Sequence, residues 1–275
     1  MYILTCFKVV PDLDKLSGSS WTIDDQLNIE TAFVSKMINP YDESALEIAL
    51  QLSDQITTSG TTAELSAITI GNSQADLYLK SLRALGYKKA CRINCSIDLR
   101  FNPEYIAALI GAYIKQNNPC DLILMGRQSG EGDNAKTPFI TAEIIGWPCI
   151  ADVLKVDYIS PKLISVTNLT DNGILRQTVK LPCLLAVGNA PNSHLRVPTL
   201  KTIKTVGNEP ARVIEDKNLI KFVKPGQKIN GAKLLGLELI DHTRQGIIIE
   251  GNSAEEKALL LYNNYLKGWL ADNGL

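Results

Sequence analysis

Histidine is nearly missing from these 275 residues: there are two, at 194 and 242, against 28 lysines and arginines and 29 aspartates and glutamates. The six cysteines (6, 91, 95, 120, 149 and 183) never form a Cys-x-x-Cys pair, so neither a zinc nor an iron–sulfur site is expected. Those at 6, 120 and 183 lie in or beside apolar runs, where a reduced cysteine acts as a small core residue. There is no Gly-x-Ser-x-Gly elbow, Walker loop or His–Glu metal box, and Asp152 and Asp157 read as exposed-edge residues. Hydrolysis and group transfer therefore lack their usual carriers. A formal net charge of −1 removes the basic footprint of a nucleic-acid or membrane-surface protein. The most apolar stretch, Tyr105–Ile114, is about half the ~20 residues a membrane span needs, and Met1–Lys8 lacks the basic start of a secretory signal. A cytosolic protein is expected.

What remains is an ordinary globular composition, 45% hydrophobic and 21% charged, with length for about two units. Apolar runs alternate with helical patterns through the first two-thirds. Strands are expected at 2–10, 65–70, 90–94 and 121–126. Helices are expected from Asp42 as N-cap, over 74–85 and 103–116, and from about 133 to 145. This pattern gives an α/β fold: a Rossmann-like, mostly parallel sheet with helices on both faces. A hairpin then reads across Asp171-Asn172-Gly173, and a strand over 182–187. The domain division expected is 1–190 for the α/β domain and 191–275 for a loop, an extended arm and a C-terminal helix. That helix opens on a capping box, Ser253-Ala-Glu-Glu256, and carries an apolar stripe of Leu259, Tyr262, Leu266 and Trp269.

The informative loop is Gly126-Arg127-Gln128-Ser129-Gly130-Glu131-Gly132-Asp133-Asn134-Ala135-Lys136-Thr137. It follows a buried-type strand and opens a helix, the place where an α/β sheet converges backbone N–H groups on an anion. Arg127 and Lys136 are expected to offset phosphate charge, and Asp133 to cap the helix. The alternative is a polar turn whose glycines merely relieve strain. Two further strand ends, at Cys6-Phe7-Lys8 and Ile70-Gly71-Asn72, together with Asn39, Pro40, Tyr41 and Asp42, would complete a nucleotide-sized crevice.

Taken in order, the motifs resemble the β subunit of the electron transfer flavoproteins, in the branch that includes FixA-like proteins. Cys6-Phe-Lys-Val-Val-Pro-Asp12 is similar to that family's first strand and turn, and Ile38-Asn-Pro-Tyr-Asp-Glu-Ser-Ala-Leu-Glu47 to its Asn-Pro-Phe/Tyr segment. Leu82-Arg-Ala-Leu-Gly86, Asp121-Leu-Ile-Leu-Met-Gly-Arg-Gln128 with Gly132-Asp133, Arg196-Val-Pro-Thr-Leu200 and Gln245-Gly-Ile-Ile-Ile-Glu-Gly251 extend the match along the chain. The resemblance implies an αβ heterodimer that passes electrons between dehydrogenases, acyl-CoA-type or other flavin enzymes, and an acceptor. FAD would be shared with the α subunit, and the β-subunit crevice would hold AMP or a second FAD. Carried over by position, that site comprises Cys6, Asn39–Asp42, Ile70 and Gly126–Thr137. Electron-bifurcating members use a second FAD and NADH, and the loop here shares Gly-Asp-x-Ala with them and Thr137 with ordinary carriers.

The segment that would dock a dehydrogenase departs from the family pattern, and Pro191 or Leu195 is expected to protrude there. The apolar residues of 200–252 would be buried by wrapping a partner. A bulky residue in place of Gly132 is expected to abolish nucleotide retention. Two other readings stand beside this one: a stand-alone adenine-nucleotide-binding protein, acting as a sensor or weak hydrolase, and a structural subunit with a degenerate site.

Overall fold

A computed structural model describes residues 1–16, 21–117, 119–130, 132–191, 194–206, 210–220, 232, 234–238 and 246–272. The chain divides into two compact units, Met1–Gly236 and Leu237–Leu275. In the first, β1 (Tyr2–Phe7), β4 (Glu64–Gly71), β5 (Lys89–Asn94), β6 (Leu122–Gly126), β7 (Cys149–Ser160), β8 (Leu163–Thr170), β9 (Gly173–Lys180), β10 (Cys183–Val187) and β11 (Arg212–Glu215) form one sheet. Its order is β11-β5-β4-β1-β6-β10-β7-β8-β9. Neighbours from β11 to β7 pair in parallel, and β7-β8-β9 is an antiparallel meander. Two short strands, β2 (Val9–Pro11) and β3 (Lys36–Ile38), pair separately.

The alternation of side chains along a strand decides which helices each residue meets. Ile3, Phe7, Leu122 and Leu124 join α1 (Pro40–Thr58) and α2 (Asp76–Ala84) in one core. Leu4, Cys6, Ile123 and Met125 point the other way, to α3 (Pro103–Gln116) and α4 (Thr137–Ile145). Both faces of the middle strands are thus covered, which is why β6 reads as an unbroken apolar run. On α3, Gly111 lets α4 approach: a Cβ there would lie 2.6 Å from Ile144 Cγ2.

Several boundaries differ from the sequence reading. The first strand stops at Phe7, because the Lys8 N–H turns to the Asp42 carboxylate. Helix α1 begins at Pro40 with Asn39 as N-cap, so Asp42 is no cap. Helix α4 begins at Thr137 rather than 133. Strand β7 was not anticipated: its charges and three register shifts hide the two-residue alternation. The hairpin turn is Asp171-Asn172, with Thr170 opposite Gly173. The short helix α5 (Leu200–Val206), strand β11 and α6 (Asp216–Ile220), read as part of an arm, belong to the first unit, where Leu219 is completely buried among the α3 residues.

The second unit carries α7 (Ala254–Leu261), one turn of π-helix over Tyr262–Leu266 and α8 (Lys267–Asp272). Ser253 caps it, accepting from the Glu256 N–H at 3.2 Å, while Glu256 accepts from the Asn252 N–H at 2.7 Å. All four residues of the apolar stripe are exposed. No helix among the described residues is long and apolar enough to cross a membrane. His242 and most of 221–245 lie outside the described residues.

Candidate functional site

The parallel strands β4, β1 and β6 end on one edge of the sheet, and a crevice open to solvent lies against those ends. Its apolar side is formed by Cys6, Ile68, Ile70 and Met125 from the strands, Leu99 from the β5–α3 loop, and Ile106 and Ile110 one turn apart on α3. Its polar side is formed by Lys8, Asn39, Asp42, Gln128, Ser129, Asn134, Lys136 and Thr137.

Asp42 ties this edge together. Its Oδ2 accepts from the Lys8 N–H at 2.9 Å and its Oδ1 from the Gly126 N–H at 2.7 Å, so one carboxylate clips the ends of β1 and β6 to α1. Asn39 Nδ2 donates to Asp42 Oδ2 at 3.1 Å and to the Gln128 carbonyl at 2.9 Å, which joins the next loop to the knot. Burial pushes the Asp42 carboxyl up to about 6, against the three N–H donors that favour its charged form. Gly126 is required by the same closeness: a Cβ would lie 2.5 Å from Asp42 Oδ1 and 2.7 Å from Tyr41 Cβ. Both donors of the Asn39 amide are used, but its buried Oδ1 has no partner among the described residues. Burial raises the Cys6 thiol well above its usual range, so it is a neutral wall rather than a nucleophile.

The loop from Arg127 to Lys136 bends through the left-handed region at Gly132 (φ 83°), Asp133 (28°) and Ala135 (50°). Non-glycine residues held there carry strain, which concentrates at ligand clamps. Asp133 therefore does not cap α4; Lys136 is the N-cap, and no side chain caps that end. Gly132 is needed for a reason other than ligand contact: a Cβ would lie 2.1 Å from the Arg100 carbonyl oxygen of the neighbouring loop. Arg127 is committed elsewhere than to an anion. It pairs with Asp152 and donates from Nε to Gln128 Oε1 at 2.9 Å, and its guanidinium lies 5.8 Å from the centre of the Tyr41 ring. Lys136 is exposed and has no ion partner among the described residues.

Of the residues singled out from sequence, Cys6, Asn39, Asp42, Ile70, Gly126–Ser129 and Asn134–Thr137 line the crevice. Pro40, Tyr41, Gly130, Gly132 and Asp133 do not; they support it from behind or shape the loop. Glu131 lies outside the described residues. Sequence reading missed Ile68, Thr69, Leu99, Arg100, Ile106 and Ile110. The spacing of Ile106 and Ile110 on a helix following a parallel strand was the available signal, since β5 ends on the same edge. Pro191 is exposed, but Leu195 does not protrude: it packs against the core, and its N–H donates to Glu43 Oε1 at 3.2 Å. Arg196 holds this segment to α1 through the nearly buried Glu47 and through Asp54, each at 2.8 Å. Val197 and Leu200, 85% and 79% exposed, are the residues that stand out.

A family model described as the electron transfer flavoprotein domain matches residues 26–217. The chain belongs to the electron transfer flavoprotein family. It is 30% identical over 269 residues to YgcR of Escherichia coli (strain K12), whose own description as an electron transfer flavoprotein subunit is provisional; the match spans 97% of this chain and 98% of that protein. It is 26% identical over 205 residues to the electron transfer flavoprotein subunit beta of Bacillus subtilis (strain 168), covering 73% and 77%. It is 25% identical over 268 residues to the acryloyl-CoA reductase electron transfer subunit gamma of Anaerotignum propionicum, covering 93% and 95%. The resemblance read from the motifs holds, and with it the mostly parallel α/β fold.

Proposed function

We propose that this flavoprotein-family chain is the β subunit of a heterodimeric electron carrier whose crevice holds an adenine nucleotide, AMP or a second FAD. The observation that carries the reading is the crevice itself: strand ends, a strained loop and an uncapped helix end meet where an α/β sheet binds nucleotides. The chemistry of the lining fits such a group. Asn39 Oδ1 is a buried acceptor in need of a donor, as an exocyclic amino group is, and burying it unpaired costs about 1–3 kcal/mol. The apolar side suits a flat aromatic ring, and Lys136 with the first turn of α4 suits a phosphate.

Bound flavin would supply the redox chemistry. The chain's own residues bind and orient: Asp42 and Asn39 fix the strand ends and loop, while the aliphatic wall excludes water. Such a role asks for no general acid or base, in keeping with the scarcity of histidine. The FAD shared with an α subunit belongs to the same reading, as does a cytoplasmic location. The exposed apolar residues of the second unit would be buried in that partner, with residues 191–275 working as docking segment and arm. Val197 and Leu200 offer an apolar anchor to a flavin dehydrogenase, and a relative named as the electron transfer subunit of an acryloyl-CoA reductase favours an acyl-CoA-type enzyme.

The test is to co-express this chain with a flavoprotein α subunit encoded beside it, purify the complex, and count the nucleotides released by heat. One FAD and one AMP per heterodimer makes it an ordinary carrier. Two FAD makes it a bifurcating one, with NADH the next ligand. A chain that purifies alone with adenine nucleotide supports the stand-alone binder instead, and one with no partner and no nucleotide overturns the reading.

A further inference from the structure

Asp152 breaks the rules of a β-strand. Its φ is 51°, in the left-handed region, and it lies where the pairing of β7 with β10 shifts register between Leu185 and Val187. A β-bulge of this kind re-aims one side chain. Here the carboxylate is turned onto Arg127, the first residue of the crevice loop, with Oδ1 accepting from Nη1. Gly188, just past β10, leaves the room: a Cβ there would lie 3.2 Å from both Asp152 Cα and Oδ1. The Arg127 N–H is held as well, donating to the Val187 carbonyl at 2.9 Å. Strained backbone, a cleared space and two anchors all serve to keep one guanidinium neutralised at the rim of the crevice.

We infer that Asp152 is a specificity-determining residue, which by cancelling the charge of Arg127 sets how much negative charge the crevice accepts. The inference rests on the nucleotide reading above. AMP carries about two negative charges at neutral pH, because its phosphate has a second pKa of about 6; FAD, a diphosphate diester, also carries about two. ADP carries one more. With Arg127 paired, Lys136 is the exposed cation without an ion partner among the described residues that line the crevice. A site so arranged favours ligands with about two negative charges over the di- and triphosphates that are abundant in any cell. The same residues with Arg127 unpaired would not.

The test uses the heterodimer with its α subunit, the crevice freed of nucleotide and titrated separately with AMP, FAD and ADP at low salt. Asp152→Asn is the informative variant, since asparagine tolerates the left-handed backbone better than most residues and only the charge is removed. The AMP-to-ADP affinity ratio should fall about fivefold, the size expected for one extra ligand charge roughly 8 Å from an uncompensated guanidinium in a half-solvated site. Adding Arg127→Gln to Asp152→Asn should restore the wild-type ratio. A purely structural role would weaken both nucleotides equally and leave the ratio unmoved; that result, or a double variant that keeps the shifted ratio, overturns the inference alone. A wild-type heterodimer whose crevice binds neither AMP nor FAD overturns the crevice reading and this inference together.

Discussion

Leu122-Ile123-Leu124 in β6 and Leu259-Leu260-Leu261 in α7 are both runs of three aliphatic residues, yet the first three are 0% exposed and the others 60%, 36% and 42%. The strand has β1 and β10 at its sides and helices above and below, so each side chain finds a covered position whichever way it points. Three consecutive residues of a helix spread over more than half its circumference, and burying them all takes neighbours on several sides. Apolar sequence therefore marks where burial is wanted, while topology decides whether this chain supplies it. In the first unit it does; for the second, the proposed supplier is a partner subunit.

The sharpest way to break that contrast is glycine replacement. Gly126→Val drives a side chain into Asp42 and Tyr41 and should cost about 4 kcal/mol or prevent folding, as read by denaturant unfolding. Gly268→Ala in α8, where a Cβ meets nothing within 4 Å, should be neutral or stabilise the helix by up to about 1 kcal/mol. Next in size, Leu124→Ala opens a cavity at a fully buried position and should cost about 3 kcal/mol. Leu259→Ala should leave the isolated chain within about 0.5 kcal/mol of wild type while weakening its complex with an α subunit. Equal losses for these two in isolation would erase the distinction.

Asp42 sharpens the comparison from within the first unit. Asp42→Asn places an amide N–H against a backbone or side-chain donor and should cost about 2 kcal/mol. Its pH signature is separate. A carboxyl raised from 3.8 to about 6 in the folded chain binds its proton more tightly there than when unfolded. Its contribution is therefore greatest below about pH 4 and is lost as pH rises through 6, on the order of 2–3 kcal/mol. The difference between wild type and Asp42→Asn across that window isolates the effect, and parallel pH profiles would contradict it. A further loss of about 1–2 kcal/mol is expected for Arg196→Ala, read by the same denaturant unfolding, because the nearly buried Glu47 loses its charged partner.

Much of this was legible beforehand because it is written in local patterns. The run 122–126, the helix over 103–116 and the turn at Asp171-Asn172 each follow from periodicity or turn chemistry within a short window. The loop 126–137 was found for the same reason, as a glycine-rich link between a buried strand and a helix. What escaped depends on residues far apart in the chain. Asp42 looked like a helix cap because its partners, Lys8 and Gly126, are invisible from its neighbours in sequence. Arg127 looked like a phosphate ligand because nothing nearby announces Asp152. Strand β7 is hidden by the bulge at Asp152, and within the apolar stretch 105–114 nothing local distinguishes Ile106 and Ile110 from residues that face only the core.

The knot at Asp42 also sets a timetable. It joins residues 34 and 84 positions away on either side, and the first strand made, β1, ends in the middle of the sheet between β4 and β6. On a ribosome adding about 5–20 residues per second, the amide of Lys8 waits roughly ten seconds before Gly126 emerges to share its acceptor. Until then the N-terminal strand has one finished neighbour and one open edge, whose unpaired backbone N–H and C=O groups are a site for mispairing.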